Sequence, residues 1–226
     1  MIRTSLRLLF PLLVLALGAC ATTPFLGFDQ PPPLRATYDP SVVALRQKLA
    51  EGARSILGRK QLVVRGRRFN MDCTGVVLAI YWYAGIDLAR DFSRFSGNGV
   101  SRIYATLERE NLLYSTTMPL VGDIIFWDNT YDEKQNPLMD DPLSHVGMVL
   151  ETGDDGTISY VHYHITRGIT IDYMNLRNPD VQSRTDFGRV RVINSPLRLA
   201  VRGQPHAAKW LSGQLYRALG MGYLLP

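Results

Sequence analysis

Cys73 is the residue of this sequence whose setting best suits nucleophilic chemistry. It stands in the run Asp72-Cys73-Thr74-Gly75, directly before an apolar stretch that predicts a buried helix. A cysteine in the first turn of a helix meets unpaired backbone N–H groups and the positive end of the helix dipole, and both favour the thiolate. The sequence therefore predicts a reactive thiol. The plainer alternative is that Cys73 is one more small, buried residue.

Three of the four histidines of the chain fall in or at the edge of one predicted hairpin. Its turn is Gly153 to Gly156, His145 opens its first strand, and His162 and His164 end its second. Pairing of the two strands brings all three to one end of a sheet, where they can provide the base and the orienting group that a cysteine nucleophile needs. Because side chains alternate, His162 and His164 share a face, and periodicity does not choose between them.

Helical spacing predicts three helices in the first half of the chain. One follows an N-cap at Ser41 and stops at Gly58, one begins near Cys73, and one covers residues 101–109. Strand patterns follow at residues 123–127, 145–151, 157–163, 168–173 and 188–193. Helices followed by strands predict an α+β fold, with N-terminal helices packed on an antiparallel sheet of about five strands. Residues 207–219 fit a further amphipathic helix.

The N-terminal residues 1–19 have the pattern of an export signal. Arg3 and Arg7 precede an apolar run that is short for a membrane span, and the run ends in L-G-A-C at Cys20. This ending resembles the lipobox of bacterial lipoproteins and predicts lipidation of Cys20; an uncleaved anchor and an ordinary secretory signal are the alternatives. The proline-rich residues 20–40 predict an extended tether.

Cysteine usage and charge narrow the functional classes. The chain has two cysteines, so lipidation of Cys20 leaves Cys73 without a disulfide partner. A lone thiol in an exported protein is more often present for its reactivity. Loss of residues 1–19 reduces the formal charge from +5 to +3, which gives no argument for nucleic acid as a partner.

Four motifs, in order, resemble those of the NlpC family of bacterial cell-wall cysteine peptidases. After Asp72-Cys73-Thr74-Gly75 come P-L-V-G-D-I-I-F-W, S-H-V-G-M-V-L and V-H-Y-H-I-T-R-G-I, within residues 42–195. The resemblance implies a papain-like α+β core. It also implies that Cys73 is the nucleophile, His145 the general base and His162 the orienting residue.

The resemblance further implies substrate contacts from Asp72, Thr74 and His164, with no metal ion and no cofactor. Asp123, in the second motif, is expected to be a structural polar residue at a strand start. The sequence departs from the family before the cysteine, where the stretch V-V-R-G-R-R-F-N-M lacks the tyrosine that many members have. Its arginines are candidates to meet an anionic group instead.

A long acidic connection, residues 128–142, precedes His145 and is a candidate lid. Its five carboxylates are potential calcium ligands, but their spacing matches no EF-hand, and a solvated acidic loop is the plainer alternative. The last segment, residues 196–226, contains no Asp or Glu and predicts a basic extension. It is either a solvated face or a contact for anionic lipid headgroups or wall polymers.

These observations predict a lipid-anchored peptidoglycan hydrolase of the bacterial cell envelope, with its catalytic domain at residues 41–195. Its partners would be peptidoglycan peptides and, through the lipid, a membrane, with the outer membrane favoured. Its chemistry would be cleavage of amide bonds in stem or cross-link peptides by a Cys-His-His triad. The alternatives are an amidase or acyltransferase on the same fold and a non-catalytic envelope lipoprotein that binds wall peptides.

Overall fold

The computed structural model describes residues 32–136, 138–200 and 207–226. The predicted signal peptide, Cys20 and most of the predicted tether therefore lie outside the described residues. The described residues form four α-helices: α1 (Leu34–Tyr38), α2 (Pro40–Ile56), α3 (Cys73–Ala84) and α4 (Gly99–Arg109). None of these helices combines the length and the apolar character needed to cross a membrane.

Six antiparallel strands form the main sheet, in the spatial order β3, β10, β4, β5, β6, β7. They are β3 (Leu113–Tyr114), β4 (Ile124–Trp127), β5 (His145–Thr152), β6 (Thr157–His164), β7 (Gly168–Asn175) and β10 (Tyr216–Gly220). Two small hairpins stand apart: β1 (Leu62–Val64) with β2 (Arg67–Phe69), and β8 (Ser183–Asp186) with β9 (Arg189–Val192). The predicted α+β class is confirmed, and the sheet has one strand more than expected.

The start of α2 differs from the prediction by two residues. Asp39, not Ser41, is the N-cap, and its side chain accepts a hydrogen bond from the Ser41 backbone N–H at 2.9 Å. Pro40 takes the first helical position, where its missing N–H removes no helical bond. Upstream, residues 34–38 form α1 instead of continuing the extended tether, because Ala36 is fully buried in the core.

The helix that begins at Cys73 is central. It packs against α2 on one side and against β5 and β6 on the other, which explains why it has almost no polar face. Gly85 ends it in the left-handed conformation, with φ of 94°, a position that glycine occupies without strain. This packing places the N-terminus of α3 beside the start of β5, at one end of the sheet.

Two predictions for the last third of the chain are wrong. The helix predicted for residues 207–219 is absent, and Tyr216–Gly220 instead form β10 inside the sheet, between β3 and β4. The strand is only five residues long, and so short a segment has no period that separates strand from helix. The strand predicted near residues 188–193 exists, but as β9 it pairs with β8 outside the main sheet.

Candidate active site

A cleft of about 360 Å³ lies between the N-termini of two helices and one end of the sheet. Cys73 and Thr74 contribute to it from the start of α3, and Asn98 from the start of α4. His145 and His162 reach it from β5 and β6. The structure thus brings the three predicted catalytic residues into one cleft.

The start of α3 is fixed by a cap and by a close backbone approach. The Asp72 side chain accepts a hydrogen bond from the Gly75 backbone N–H at 2.7 Å. A Cβ at Gly75 would lie 2.1 Å from the Asn70 carbonyl oxygen, so only glycine fits there. Cys73 is the first residue of the helix, and its own N–H therefore has no partner within the helix.

The start of α4 packs directly onto the start of α3. A Cβ at Gly99 would lie 2.5 Å from the Thr74 side chain, which shows how tightly the two helix ends meet. Asn98 caps α4 by accepting a hydrogen bond from the Ser101 backbone N–H at 2.8 Å. Thr74 thus has a packing role under α4 in addition to lining the cleft.

The Cys73 thiol does not have the lowered pKa that its helix position predicts. Burial raises its pKa, and the negative charge of Asp72 raises it further. Hydrogen bonds from the Val146 backbone N–H and from Thr74 lower the pKa, but less. The resting group is therefore a neutral thiol. The contact with Val146 also places the sulfur beside the first residues of β5, next to His145.

His145 and His162 are joined through their ring nitrogens. Nε2 of His145 lies 2.8 Å from Nδ1 of His162, and the two rings are nearly perpendicular at 88°. Burial is the main cause that holds the pKa of His145 well below its usual range, and the neighbouring His162 and His164 act in the same direction. His145 is thus a neutral base at pH 7, with its Nε2 already engaged.

Asp172 completes the polar chain behind the histidines, and it is absent from the sequence-based prediction. Its Oδ2 lies 3.0 Å from Nε2 of His162. Arg167 binds both carboxylate oxygens, with Nη1–Oδ1 at 3.0 Å and Nη2–Oδ2 at 2.5 Å. Burial opposes ionisation of Asp172, but the hydrogen bonds from His162 and Arg167 outweigh burial and lower its pKa to about 2.

The hairpin of β6 and β7 contains the signal that predicts this contact. His164 pairs with Gly168 and His162 with Thr170, so Asp172, opposite Tyr160, shares the face of His162. Asp172 is also the only charged residue of Gly168–Asn175. Counting the register back from the tight turn identifies Asp172 as the acidic residue next to His162.

The predicted substrate contacts have different roles. Asp72 lines the cleft, but its carboxylate accepts the hydrogen bond that caps α3. His164 also lines the cleft, but its Nδ1 accepts from the Thr166 hydroxyl at 3.1 Å within the turn after β6. The sequence prediction also omits several lining residues, among them Tyr131, whose pKa is raised by burial first and then by Glu133 and Cys73.

Tyr131 belongs to the acidic connection predicted as a lid. This loop folds back on itself: the Asn129 N–H donates to the Asp141 carbonyl at 2.7 Å, and the Asp141 N–H donates to Oδ1 of Asn129 at 2.8 Å. The pair brings Thr130 and Tyr131 to the cleft. Within the described ranges, no group of three or more His, Cys, Asp or Glu side chains is arranged to hold a metal ion.

The arginines upstream of Cys73 are used in packing. Arg67 lies over the ring of Trp82 at 4.7 Å and pairs with Asp87 at 3.3 Å. Arg65 lies over the ring of Tyr83 at 5.6 Å. None of Arg65, Arg67 and Arg68 lines the cleft, so the hypothesis that they meet an anionic group there finds no support.

Asp123 is a second buried aspartate of the same sheet and lies away from the cleft. The hydroxyls of Tyr114 and Tyr223 and the Leu120 backbone N–H donate to it, the last two at 2.8 and 2.6 Å. Burial raises its pKa to about 7, although all three donors lower it. These contacts tie β3, the turn before β4 and the chain end together, in keeping with the structural role expected for Asp123.

The described residues define an α+β protein in which a helix-start cysteine shares a cleft with a buried histidine pair. Comparisons of the chain with models of protein families, with curated proteins and with solved structures found no match. The resemblance to the NlpC family therefore stays a prediction. The arrangement has the groups needed for acyl transfer: a thiol, a neutral imidazole and the Cys73 N–H at the helix start.

Proposed function

We propose that this protein is a cysteine hydrolase with a papain-like core of the NlpC type, and that it cuts amide bonds in peptidoglycan peptides. The observation that supports it best is the shared cleft of Cys73 and His145, in which His145 is oriented by His162 at 2.8 Å. A merely structural thiol needs neither a neutral base nor a buried group that orients the base. The fold type and the substrate class come from the motif resemblance.

The reaction starts from a neutral pair, because the pKa of Cys73 is raised and that of His145 is lowered. As the sulfur attacks the amide carbonyl carbon, His145 takes the thiol proton, and the Cys73 backbone N–H at the start of α3 helps to stabilise the oxyanion. The C–N bond then breaks, and His145 gives its proton to the leaving amine. Water, deprotonated by His145, releases the acyl group as a carboxylic acid and restores the thiol.

The proposed setting is the bacterial cell envelope. Lipidation at Cys20 would anchor the chain, and the segment before α1 would separate the domain from the membrane. Peptidoglycan peptides would then be within reach of the cleft. Nucleic acid has no place in this proposal, because the expected mature chain has only a small excess of basic residues.

The direct test is mass analysis of fragments released from purified peptidoglycan. The mature protein should release peptide fragments whose new ends identify the bond cut. Cys73→Ala is the matched control, because alanine suits the first turn of a helix and leaves the Asp72 cap intact; it should release none. If Cys73→Ala is folded and releases the same fragments, Cys73 is not the nucleophile.

A second candidate is hydrolysis or transfer of an acyl group, and one observation favours it. Two apolar side chains at the cleft are exposed, Ile165 by 64% and Leu199 by 41%. Exposed apolar groups beside a thiol suit an acyl chain as substrate. Release of acid from N-acyl amides, with peptidoglycan peptides left uncut, would favour this candidate.

A further inference from the structure

We propose that Asp172, whose negative charge is balanced by Arg167, is a positioning residue. It fixes the tautomers of His162 and His145, so that His145 presents an unprotonated Nδ1 to Cys73. The proposal rests on the proposed function for its kinetic test, but not for its spectroscopic test. Asp172 and Arg167 act through the histidines and do not touch the substrate.

The polar chain runs diagonally across three neighbouring strands. In the β6–β7 register Tyr160 is opposite Asp172 and His162 is opposite Thr170, so Asp172 is the diagonal neighbour of His162. His145, on β5, meets the other side of the His162 ring. His162 is 1% exposed and Asp172 is 5% exposed, so water does not compete for the bonds between them.

The ring nitrogen that carries each hydrogen follows from the carboxylate of Asp172, which ends this series of hydrogen bonds. An ionised carboxylate only accepts, so Nε2 of His162 must carry a hydrogen toward Asp172. In a neutral imidazole Nδ1 of His162 is then an acceptor, and Nε2 of His145 must donate to it. A neutral His145 with its hydrogen on Nε2 has a lone pair on Nδ1. That lone pair is the base that the Cys73 thiol needs.

Arg167 has a defined part in this arrangement. A bare carboxylate beside His162 would draw a second proton onto the ring. The resulting imidazolium would donate from both nitrogens, and His145 would have to accept at Nε2 and carry its hydrogen on Nδ1. Arg167 prevents this by meeting both oxygens of Asp172 at 2.5 and 3.0 Å.

The charged and titratable neighbours of the His162 ring are the groups that decide its state. They are His145 on β5, Tyr160 and His164 on the same strand, Asp172 on β7 and Arg167 in the β6–β7 turn, with Cys73 across the cleft. Asp172 is the only anion among these neighbours, and Arg167 is the cation paired with it. Changing either residue therefore changes the proton arrangement directly.

The first test is Asp172→Asn in the mature protein. An asparagine can donate to Nε2 of His162, and this reverses the donor and acceptor of both hydrogen bonds of His162. We expect kcat to fall by about 100-fold or more, with KM changed by less than about threefold, because ground-state contacts are untouched. Nuclear magnetic resonance of isotope-labelled histidines should show His145 protonated at Nε2 in the wild type, and a loss of that preference in the variant.

Arg167→Gln is the second variant, and its side chain is exposed enough for the change to leave the fold intact, at 46%. Asp172 would then hold its full charge beside His162. We expect the acid limb of kcat/KM to move to higher pH, because the unbalanced charge of Asp172 raises the pKa of the base His145 more strongly. A purely structural ion pair would lower the stability without moving this limb.

Asp123→Asn is the matched control, because Asp123 is equally buried in the same sheet but bonded to neutral donors. It should leave kcat and the histidine signals unchanged. If folded Asp172→Asn retains both kcat and the His145 tautomer, the positioning role is overturned. If the tautomer changes as expected but the wild type cuts no amide, the proposed function fails while the positioning role stands.

Discussion

Asp172 and Asp123 are two buried aspartates at the main sheet whose pKa values are shifted in opposite directions. Asp172 is 5% exposed and its pKa is lowered to about 2, whereas Asp123 is fully buried and its pKa is raised to about 7. Burial raises the pKa of both. The difference lies in the partners: Asp172 has a guanidinium and an imidazole, and Asp123 has two phenols and a backbone N–H.

The comparison shows that burial of a carboxylate does not by itself mark a catalytic site. Neutral donors satisfy the lone pairs of Asp123, but they supply no charge to offset the loss of hydration. The cation beside Asp172 supplies that charge, and the carboxylate can then direct the protons of the histidines. Partner chemistry is therefore the better guide to function in this protein.

The largest expected effect that tests this comparison is the pH dependence of stability from Asp123. Its folded pKa of about 7 lies above the unfolded value, so the folded state binds more protons between about pH 4 and pH 7. The contribution of Asp123 is fully present below about pH 4 and is lost as the pH rises to about 7, a change of about 4 kcal/mol. Urea unfolding of the wild type and Asp123→Asn at several pH values measures it.

The stability advantage of the wild type over Asp123→Asn should shrink steadily across that window. Asparagine does not titrate, so the variant removes this one contribution and leaves the others in place. An advantage that stays constant with pH would mean that Asp123 is ionised throughout, and the contrast with Asp172 would then be lost.

The next effect is the acid sensitivity that comes from Asp172. Its folded pKa of about 2 lies below the unfolded value, so its contribution is present above about pH 4 and is lost as the pH falls to about 2. The amount is about 2 kcal/mol. Arg167→Gln removes the cation and should raise the pKa of Asp172 toward the ordinary aspartate range, so this loss on acidification becomes smaller. Acid unfolding followed by circular dichroism distinguishes the two curves; identical curves would assign the lowered pKa to His162 alone.

Local patterns predicted the elements that position the cysteine. The predicted starts and stops of α2, α3 and α4 lie within about two residues of the observed ones, because caps, glycines and helical spacing agree there. The strand β10 escaped prediction because it is short and its partners, β3 and β4, lie about 90 residues or more away in sequence. A five-residue segment in that position has no local sign of its neighbours.

The candidate site was predicted only in part, because local patterns identify some of its residues and long-range packing determines the rest. One hairpin brings His145 to the strand end that carries His162 and His164, and the motif resemblance selects His162. The register of the next hairpin identifies Asp172, but the sequence prediction did not use it. The raised pKa of Cys73 could not be predicted, because it depends on how deeply the long-range packing buries the sulfur. Tyr131 could not be placed either, since the fold of its loop depends on the paired bonds of Asn129 and Asp141.

The smallest effect concerns one donor of Asp123. Tyr223→Phe keeps the ring in the core and removes the hydroxyl that donates to Oδ1 at 2.8 Å. We expect a loss of about 1 kcal/mol near pH 5, where Asp123 is mostly protonated, and a larger loss above pH 7, because the ionised carboxylate depends more on each donor.

The pKa of Asp123 should rise further, since one of the bonds that lower it is gone. Urea unfolding at both pH values measures the two losses. Equal losses would show that the Tyr223 hydroxyl does not respond to the charge on Asp123, and the explanation of the contrast by partner chemistry would have to be revised.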